Sequence, residues 1–158
     1  FKPKPECRKP GRIMALPRKN PSMLTKIMNI LEPKGYEFDL VDNVSEAKII
    51  EHYQKADIFL ATGYPEGFGL PPIEAMACGA AVAGFTGGGA SEFMKHERTA
   101  LVAPDGDCEL AAEHIVRLME DPALKESLRS EGQKIALKYN KEQTKSQLGQ
   151  FYKLLTIS

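Results

Sequence analysis

Thr62-Gly-Tyr-Pro-Glu66-Gly-Phe-Gly-Leu-Pro-Pro-Ile-Glu74-Ala-Met-Ala-Cys-Gly79 is a loop that turns into a helix. It follows Ile58-Phe-Leu-Ala61, a run that is apolar on both faces, as a buried parallel strand has to be. Gly67 and Gly69 carry no side chain, so backbone N–H groups there can approach a ligand closely. Pro71 and Pro72 stop the loop and open a helix from Pro72 to Cys78, which Gly79 ends. Free N–H groups and the dipole make such a helix start a natural seat for phosphate. Glu66 stands in the loop and Glu74 in the first helical turn. A carboxylate in contact with a diphosphate would repel it. It is better suited to accept hydrogen bonds from sugar hydroxyls, as acidic residues do for ribose in nucleotide-binding folds. A plain turn would account for Glu74 alone, but not for two glutamates and four Gly or Pro residues in one short loop.

Outward from this loop, short apolar runs alternate with helical patterns. Strands are expected at Arg12 to Leu16, Tyr36 to Val41, Ile58 to Ala61, Ala80 to Gly84 and Thr99 to Val102. Asn20-Pro21 predicts a capped helix start, and Leu24, Ile27, Met28 and Leu31 then share one face. Asn43-Val-Ser-Glu46 resembles a capping box for a helix reaching Lys55. Asp107 and Asp121-Pro122 open two more helices, and a last one is expected from about Lys141, with Leu148, Phe151, Tyr152 and Leu155 on one side. Such alternation predicts an α/β fold, a Rossmann-like, doubly wound parallel sheet in a single domain. Ligands of such folds sit beyond the carboxyl ends of the strands, where the strand order switches. Residues 1–10, with Pro3, Pro5 and Pro10, are expected to be an extended linker or entry segment, and residues 11–158 the domain.

Composition narrows the function. The 158 residues carry 21 basic and 21 acidic side chains, and this balance argues against duplex nucleic acid or an acidic membrane as the main partner. The three cysteines, Cys7, Cys78 and Cys108, form neither a disulfide framework nor a metal spacing, which favours a reducing compartment such as the cytoplasm. No apolar run is long enough to span a membrane. His52, His96 and His114 share no metal-like spacing and are expected at the surface, and Cys78 is expected to be a small buried residue. Beginning at Phe1 rather than Met, the chain is expected to be an excised piece.

From Pro65 to Gly79 the sequence resembles the Glu-x7-Glu motif of the large group of retaining glycosyltransferases with GT-B architecture, often called group 1. The matching residues are Glu66, Gly67, Phe68, Gly69, Leu70, Pro71, Glu74, Ala75, Met76, Ala77 and Gly79. The order of elements from about Gly11 onward is similar to that family's C-terminal, donor-binding domain. The resemblance implies a domain that binds a nucleotide diphosphate sugar, in an enzyme that moves the sugar to an acceptor hydroxyl with retention of configuration. It implies that the amides of Phe68, Gly69 and Leu70 hold sugar and phosphates, that Glu66 contacts the transferred sugar and that Glu74 binds ribose. Arg18 and Lys19, after the first strand, would pair with the diphosphate and steady it as it leaves, so that Glu66, Arg18 and Lys19 form the catalytic group. The family separates these two cations by several residues, whereas here they are adjacent, so Lys26 also competes for the lysine role. Gly87-Gly88-Gly89-Ala90-Ser91-Glu92 resembles the family's glycine-rich turn, with Gly87 and Gly88 allowing close approach of the donor and Glu92 a structural helix residue. Val41-Asp42-Asn43 would lie near the base, although Asn43 is more simply a capping residue. No metal or other cofactor is implied, and no Asp-x-Asp motif occurs. The partner implied is a missing N-terminal acceptor domain, through which any peripheral membrane attachment would come.

Three alternatives stand beside this one. A nicotinamide-dependent dehydrogenase needs Gly-x-Gly-x-x-Gly after the first strand, where this chain has Leu16-Pro-Arg-Lys-Asn-Pro-Ser. Asp42 alone is weak support for it. A sugar-nucleotide epimerase shares the two-domain architecture but lacks the glycine-proline character of the loop. A non-enzymatic nucleotide-binding module remains compatible with the sequence.

Overall fold

Five strands, β1 (Arg12–Ala15), β2 (Glu37–Leu40), β3 (Ile58–Ala61), β4 (Ala81–Gly84) and β5 (Leu101–Val102), form one sheet in the order β2-β1-β3-β4-β5. Every neighbouring pair is parallel. This computed structural model describes residues 1–139. Five α-helices lie between and after the strands: α1 (Pro21–Leu31), α2 (Glu46–Lys55), α3 (Leu70–Cys78), α4 (Cys108–Glu120) and α5 (Pro122–Ala136). The helix expected from Lys141 lies outside the described residues.

Side chains alternate across the sheet and so build two cores. Ile13, Ala15, Ile58, Leu60, Ala81, Ala83 and Leu101 point to one face, where Leu24, Ile27 and Leu31 of α1 and Ala111, Ile115 and Leu118 of α4 cover them. Met14, Phe59, Ala61 and Val82 point to the other, against Tyr53 of α2 and Ala75, Met76 and Cys78 of α3. Both faces are therefore closed, and the doubly wound sheet expected from the alternating pattern is what forms. Cys78 is buried as expected, and burial pushes its thiol up to about 11.

Local differences have local causes. Asn20 adopts a left-handed backbone (φ 53°) and does not cap α1, because its side chain is used elsewhere. Ser45 rather than Asn43 caps α2, accepting the Lys48 N–H, while Asn43 turns back to Asp42. Helix α3 begins at Leu70, so Glu74 lies beyond the first turn. Thr99 and Ala100 leave β5 short, since their N–H groups bond to the Lys95 carbonyl in a turn. Residues 1–10 are not simply extended: Pro5–Cys7 forms a 3-10 turn, the Lys9 N–H donates to the Lys55 carbonyl, and Gln54 donates to that of Lys2. His114 is 6% exposed rather than at the surface, with Nε2 3.1 Å from the Val102 carbonyl oxygen.

At the amino end of β3, Asp57 joins three parts of the chain. It accepts from the Gly11 N–H (2.9 Å) and pairs with Lys125 (2.7 Å) and Arg129 (2.6 Å) of α5. Burial alone would raise its pKa, but the Lys125 and Gly11 hydrogen bonds and the two cations outweigh it and hold the carboxyl below 3.8. Its contribution to stability is therefore present above the unfolded-state value and is lost as pH falls through the depressed folded value. Asp57→Ala would leave Arg129, which is 6% exposed, with Glu126 as its one carboxylate partner and Lys125 without this one, and should cost about 2–4 kcal/mol in urea unfolding at pH 7. A loss under about 1 kcal/mol would contradict this role.

Candidate functional site

The strand order reverses between β1 and β3, so the loops that follow these two strands diverge and leave a crevice. Lys19 enters it from one loop and Glu66 from the other. They meet with Nζ 2.8 Å from Oε1, the glutamate side chain 15% exposed and the lysine 41%. Three hydrogen bonds tie the loops together beside them. The Asn20 amide donates to the carbonyls of Thr62 (3.0 Å) and Tyr64 (2.8 Å), and the Thr62 hydroxyl donates to the Lys19 carbonyl (2.8 Å). Asparagine suits this post because it tolerates left-handed backbone and still brings a two-donor amide.

The turn after β4 holds Glu66 from the opposite side. The Glu66 N–H donates to the Gly87 carbonyl (2.8 Å), and the Gly89 N–H donates to the Glu66 carbonyl (3.1 Å). Gly87 has φ 60°, and a Cβ there would lie 2.6 Å from the Gly63 carbonyl oxygen, so glycine is required. Its own N–H donates to Asp105, after β5, at 3.0 Å. The Gly88 N–H donates to the Thr86 hydroxyl at 3.3 Å. The amides of Gly87 and Gly88 are thus already engaged, and open space within 4 Å of a Cβ exists at Gly88 but not at Gly87, which packs on Gly63 and Glu66. Glu92 closes the turn structurally, accepting from the Tyr139 hydroxyl at 2.7 Å.

Gly69 precedes α3 with φ 82°, and a Cβ there would lie 2.7 Å from that of Ala90, so loop and turn pack directly together. Among the described residues, the N–H groups of Gly67, Phe68, Gly69 and Leu70 donate no hydrogen bond within the chain. Pro71 and Pro72, next in line, have no N–H to give. The donors of the helix start are therefore gathered into four consecutive amides, an arrangement suited to an anion. Phe68 has its ring packed at 5.6 Å from Phe93 and 5.7 Å from Tyr139, while Leu70 is 57% exposed.

Glu74 is half-buried on α3, and one of its oxygens accepts from the Tyr53 hydroxyl at 3.3 Å. Burial raises its pKa, with the Tyr53 bond and the Arg18 charge acting against that. Arg18 is exposed and its charge reaches Glu74, whereas Lys19 pairs with Glu66. Of the two adjacent cations, only Lys19 pairs directly with one of the glutamates. Lys26 sits on the exposed side of α1, where its charge is felt by Cys108 on α4. The Asp42 carboxylate, after β2, is bonded to Asn43. Sequence reasoning missed Asn20, Thr62, Tyr53 and Asp105. Asn20-Pro21 carries the same signal as a helix cap, and Tyr53 that of an apolar helix face.

Beneath Lys19 and Glu66 is a cavity of about 20 Å³, lined also by Thr62, Pro72, Phe85 and Thr86, with room for about one water. A wider groove, about 410 Å³, runs between the ends of α1 and α4, past Ile30, Val116 and Glu120, at the far end of the sheet from these loops. Among the described residues no three His, Cys, Asp or Glu side chains gather as a metal site, and no helix is long and apolar enough to cross a membrane.

The family described as "Glycosyl transferases group 1" matches residues 35–135. D-inositol 3-phosphate glycosyltransferase of Rhodococcus jostii is 27% identical over 111 residues, covering 70% of this chain and 25% of that protein. N-acetyl-alpha-D-glucosaminyl L-malate synthase of Bacillus anthracis is 34% identical over 83 residues, covering 52% of this chain and 20% of that protein. The chain thus spans about a quarter or less of the curated relatives it matches. In structure it resembles sucrose-phosphate synthase from Thermosynechococcus elongatus (TM-score 0.79, 24% identity, 99% of this chain and 50% of that one). It also resembles S. aureus TarM in complex with UDP (TM-score 0.80, 17% identity, 98% of this chain and 37% of that one). The C-terminal domain of a group 1 family protein from Francisella tularensis aligns over 89% of this chain and 96% of that one, with a TM-score of 0.72 and 16% identity.

The clamp at Asn20 carries its own test. Asn20→Ala removes two hydrogen bonds and the short polar side chain that lets asparagine tolerate left-handed backbone, which should cost about 2–4 kcal/mol in chemical denaturation. A change below about 0.5 kcal/mol would show that the two loops hold together without it.

Proposed function

The chain belongs to the group 1 glycosyltransferases, and from that premise we propose that it is the donor-binding half of a retaining enzyme, taking a sugar from a nucleotide diphosphate sugar and passing it to an acceptor hydroxyl. The observation that carries this reading is the row of amides at Gly67–Leu70 that donate no hydrogen bond among the described residues, directly after the Glu66 that meets Lys19. The Rhodococcus jostii relative is named as a glycosyltransferase, and TarM was solved with UDP.

In this proposal the diphosphate lies on those amides at the start of α3 and draws Lys19 away from Glu66. The freed Glu66 carboxylate then accepts hydrogen bonds from hydroxyls of the transferred sugar. Glu74 accepts from the ribose, and Arg18 adds its charge nearby. Gly88, where a Cβ would meet nothing within 4 Å, lets the donor pass close to the backbone, and Gly87 lets the turn pack on Glu66. As the bond from the anomeric carbon to the phosphate oxygen breaks, negative charge grows on the diphosphate, and Lys19, Arg18 and the amides stabilise it. The acceptor oxygen bonds to the anomeric carbon on the face the phosphate leaves, and its proton passes to the departing phosphate oxygen. This assigns charge neutralisation to side chains and amides rather than to a metal ion.

A donor of this size needs a pocket of about 300–1,000 Å³, whereas the cavity between Lys19 and Glu66 is about 20 Å³. The crevice is one wall of a cleft in this reading, and the opposite wall belongs to an acceptor domain. Donor chemistry and unpaired cysteines both favour the cytoplasm as the working compartment.

Calorimetric titration of the chain with UDP, GDP and ADP sugars tests the proposal. One of them should bind, and Lys19→Met should weaken that binding about 10- to 100-fold through loss of a charge-assisted contact. Binding of none, or binding indifferent to Lys19→Met, would contradict it. Turnover by the chain alone should be negligible with any acceptor, and substantial turnover would refute the half-cleft.

A further inference from the structure

We infer that Tyr53 is a positioning residue for ribose recognition: its hydroxyl fixes the orientation of the Glu74 carboxylate that meets the sugar of the nucleotide. This rests on the donor-binding reading above and adds a residue from another helix to the site.

Tyr53 lies on α2, away from both motif loops, and is 0% exposed. Its ring meets Phe59 of β3 edge-on, 5.6 Å between centroids and 61° between planes, so the ring has little freedom to turn elsewhere. A buried phenol needs a partner for its O–H, since an unmade hydrogen bond costs about 1–3 kcal/mol. The partner is Glu74 Oε2 at 3.3 Å. The other oxygen, Oε1, has no hydrogen bond among the described residues.

These facts make Glu74 a directed acceptor. A carboxylate has about four lone-pair sites, and one contact to Tyr53 leaves three. Because the group is planar, holding Oε2 sets the directions in which the remaining sites point. Two neighbouring ribose hydroxyls can then be accepted together, one on each oxygen, with the phenol still in place. Without the phenol the side chain regains torsional freedom that binding would have to remove. Burial also works against the ionised, acceptor-only form, and the Tyr53 hydrogen bond offsets part of that penalty.

Two variants and two ligands test this. The probe is whichever of UDP, GDP and ADP binds most tightly, compared with its 2′,3′-dideoxy counterpart. Tyr53→Phe keeps the ring and its packing, and a thermal melt confirms that it folds. It should weaken binding of the ribonucleotide about 3- to 10-fold and leave the dideoxy analogue unchanged, narrowing the ratio between them. Equal weakening of both ligands, or of neither, would overturn the inference, because a merely structural tyrosine would not distinguish them. Glu74→Ala separates this failure from failure of the underlying reading. If Glu74→Ala collapses the ratio and Tyr53→Phe does not, only the role of Tyr53 falls. If Glu74→Ala leaves the ratio intact, or none of the three nucleotides binds, the ribose assignment falls and the role of Tyr53 with it.

Discussion

The backbone of Glu66 is pinned on both sides. Its N–H is held by the Gly87 carbonyl and its carbonyl by the Gly89 N–H. That pair of bonds extends the contact between the β3 and β4 segments by one isolated bridge, Glu66 with Gly88, beyond the strands themselves. The rest of the site follows from it. The chain past Glu66 must leave the sheet at once, and it turns into α3 through Gly69 in left-handed backbone. The amides between the bridge and the helix then belong to neither ladder, and they are the ones left free. Pro71 and Pro72 sharpen the effect, since a helix start without those N–H groups has its donors confined to Leu70 and the loop.

The charges at the crevice balance locally as they do globally. Arg18 and Lys19 bring two positive charges, Glu66 and Glu74 two negative ones, in a chain of 21 basic and 21 acidic residues. In the proposed function an anionic donor would be drawn by the free amides and the dipole of α3, and by redistribution of charge that is already present. The Lys19–Glu66 pair keeps two charged groups satisfied at the mouth of the crevice. Each has a further use in the proposed reaction, one toward phosphate and the other toward sugar hydroxyls.

Much of this was legible in residue order. Strand runs such as Ile58 to Ala61 and helix punctuation such as Pro72 to Gly79 carried the doubly wound sheet, because local periodicity and burial agreed there. The Glu66 to Glu74 loop carried the family. Contacts between residues distant in sequence were not legible. Asn20 looked like a cap because Asn-Pro before a helix usually is one, and only the approach of the β3 loop diverts its amide to Thr62 and Tyr64. Asp105 gave no local sign of holding Gly87, eighteen residues earlier. Tyr53 fits a helical apolar face, and nothing in that spacing says that its hydroxyl ends on Glu74. The adjacency of Arg18 and Lys19 left open which of them meets Glu66, and the fold pairs Lys19 with it.

The most direct measurement is amide chemical-shift mapping of the chain by NMR during titration with UDP, GDP and ADP. One nucleotide should shift the amides of Gly67, Phe68, Gly69 and Leu70 most strongly, with smaller changes at Lys19, Glu74 and Gly88. Shifts centred instead on the groove between α1 and α4, around Ile30 and Val116, or no saturable shifts with any of the three, would contradict a donor site at the start of α3.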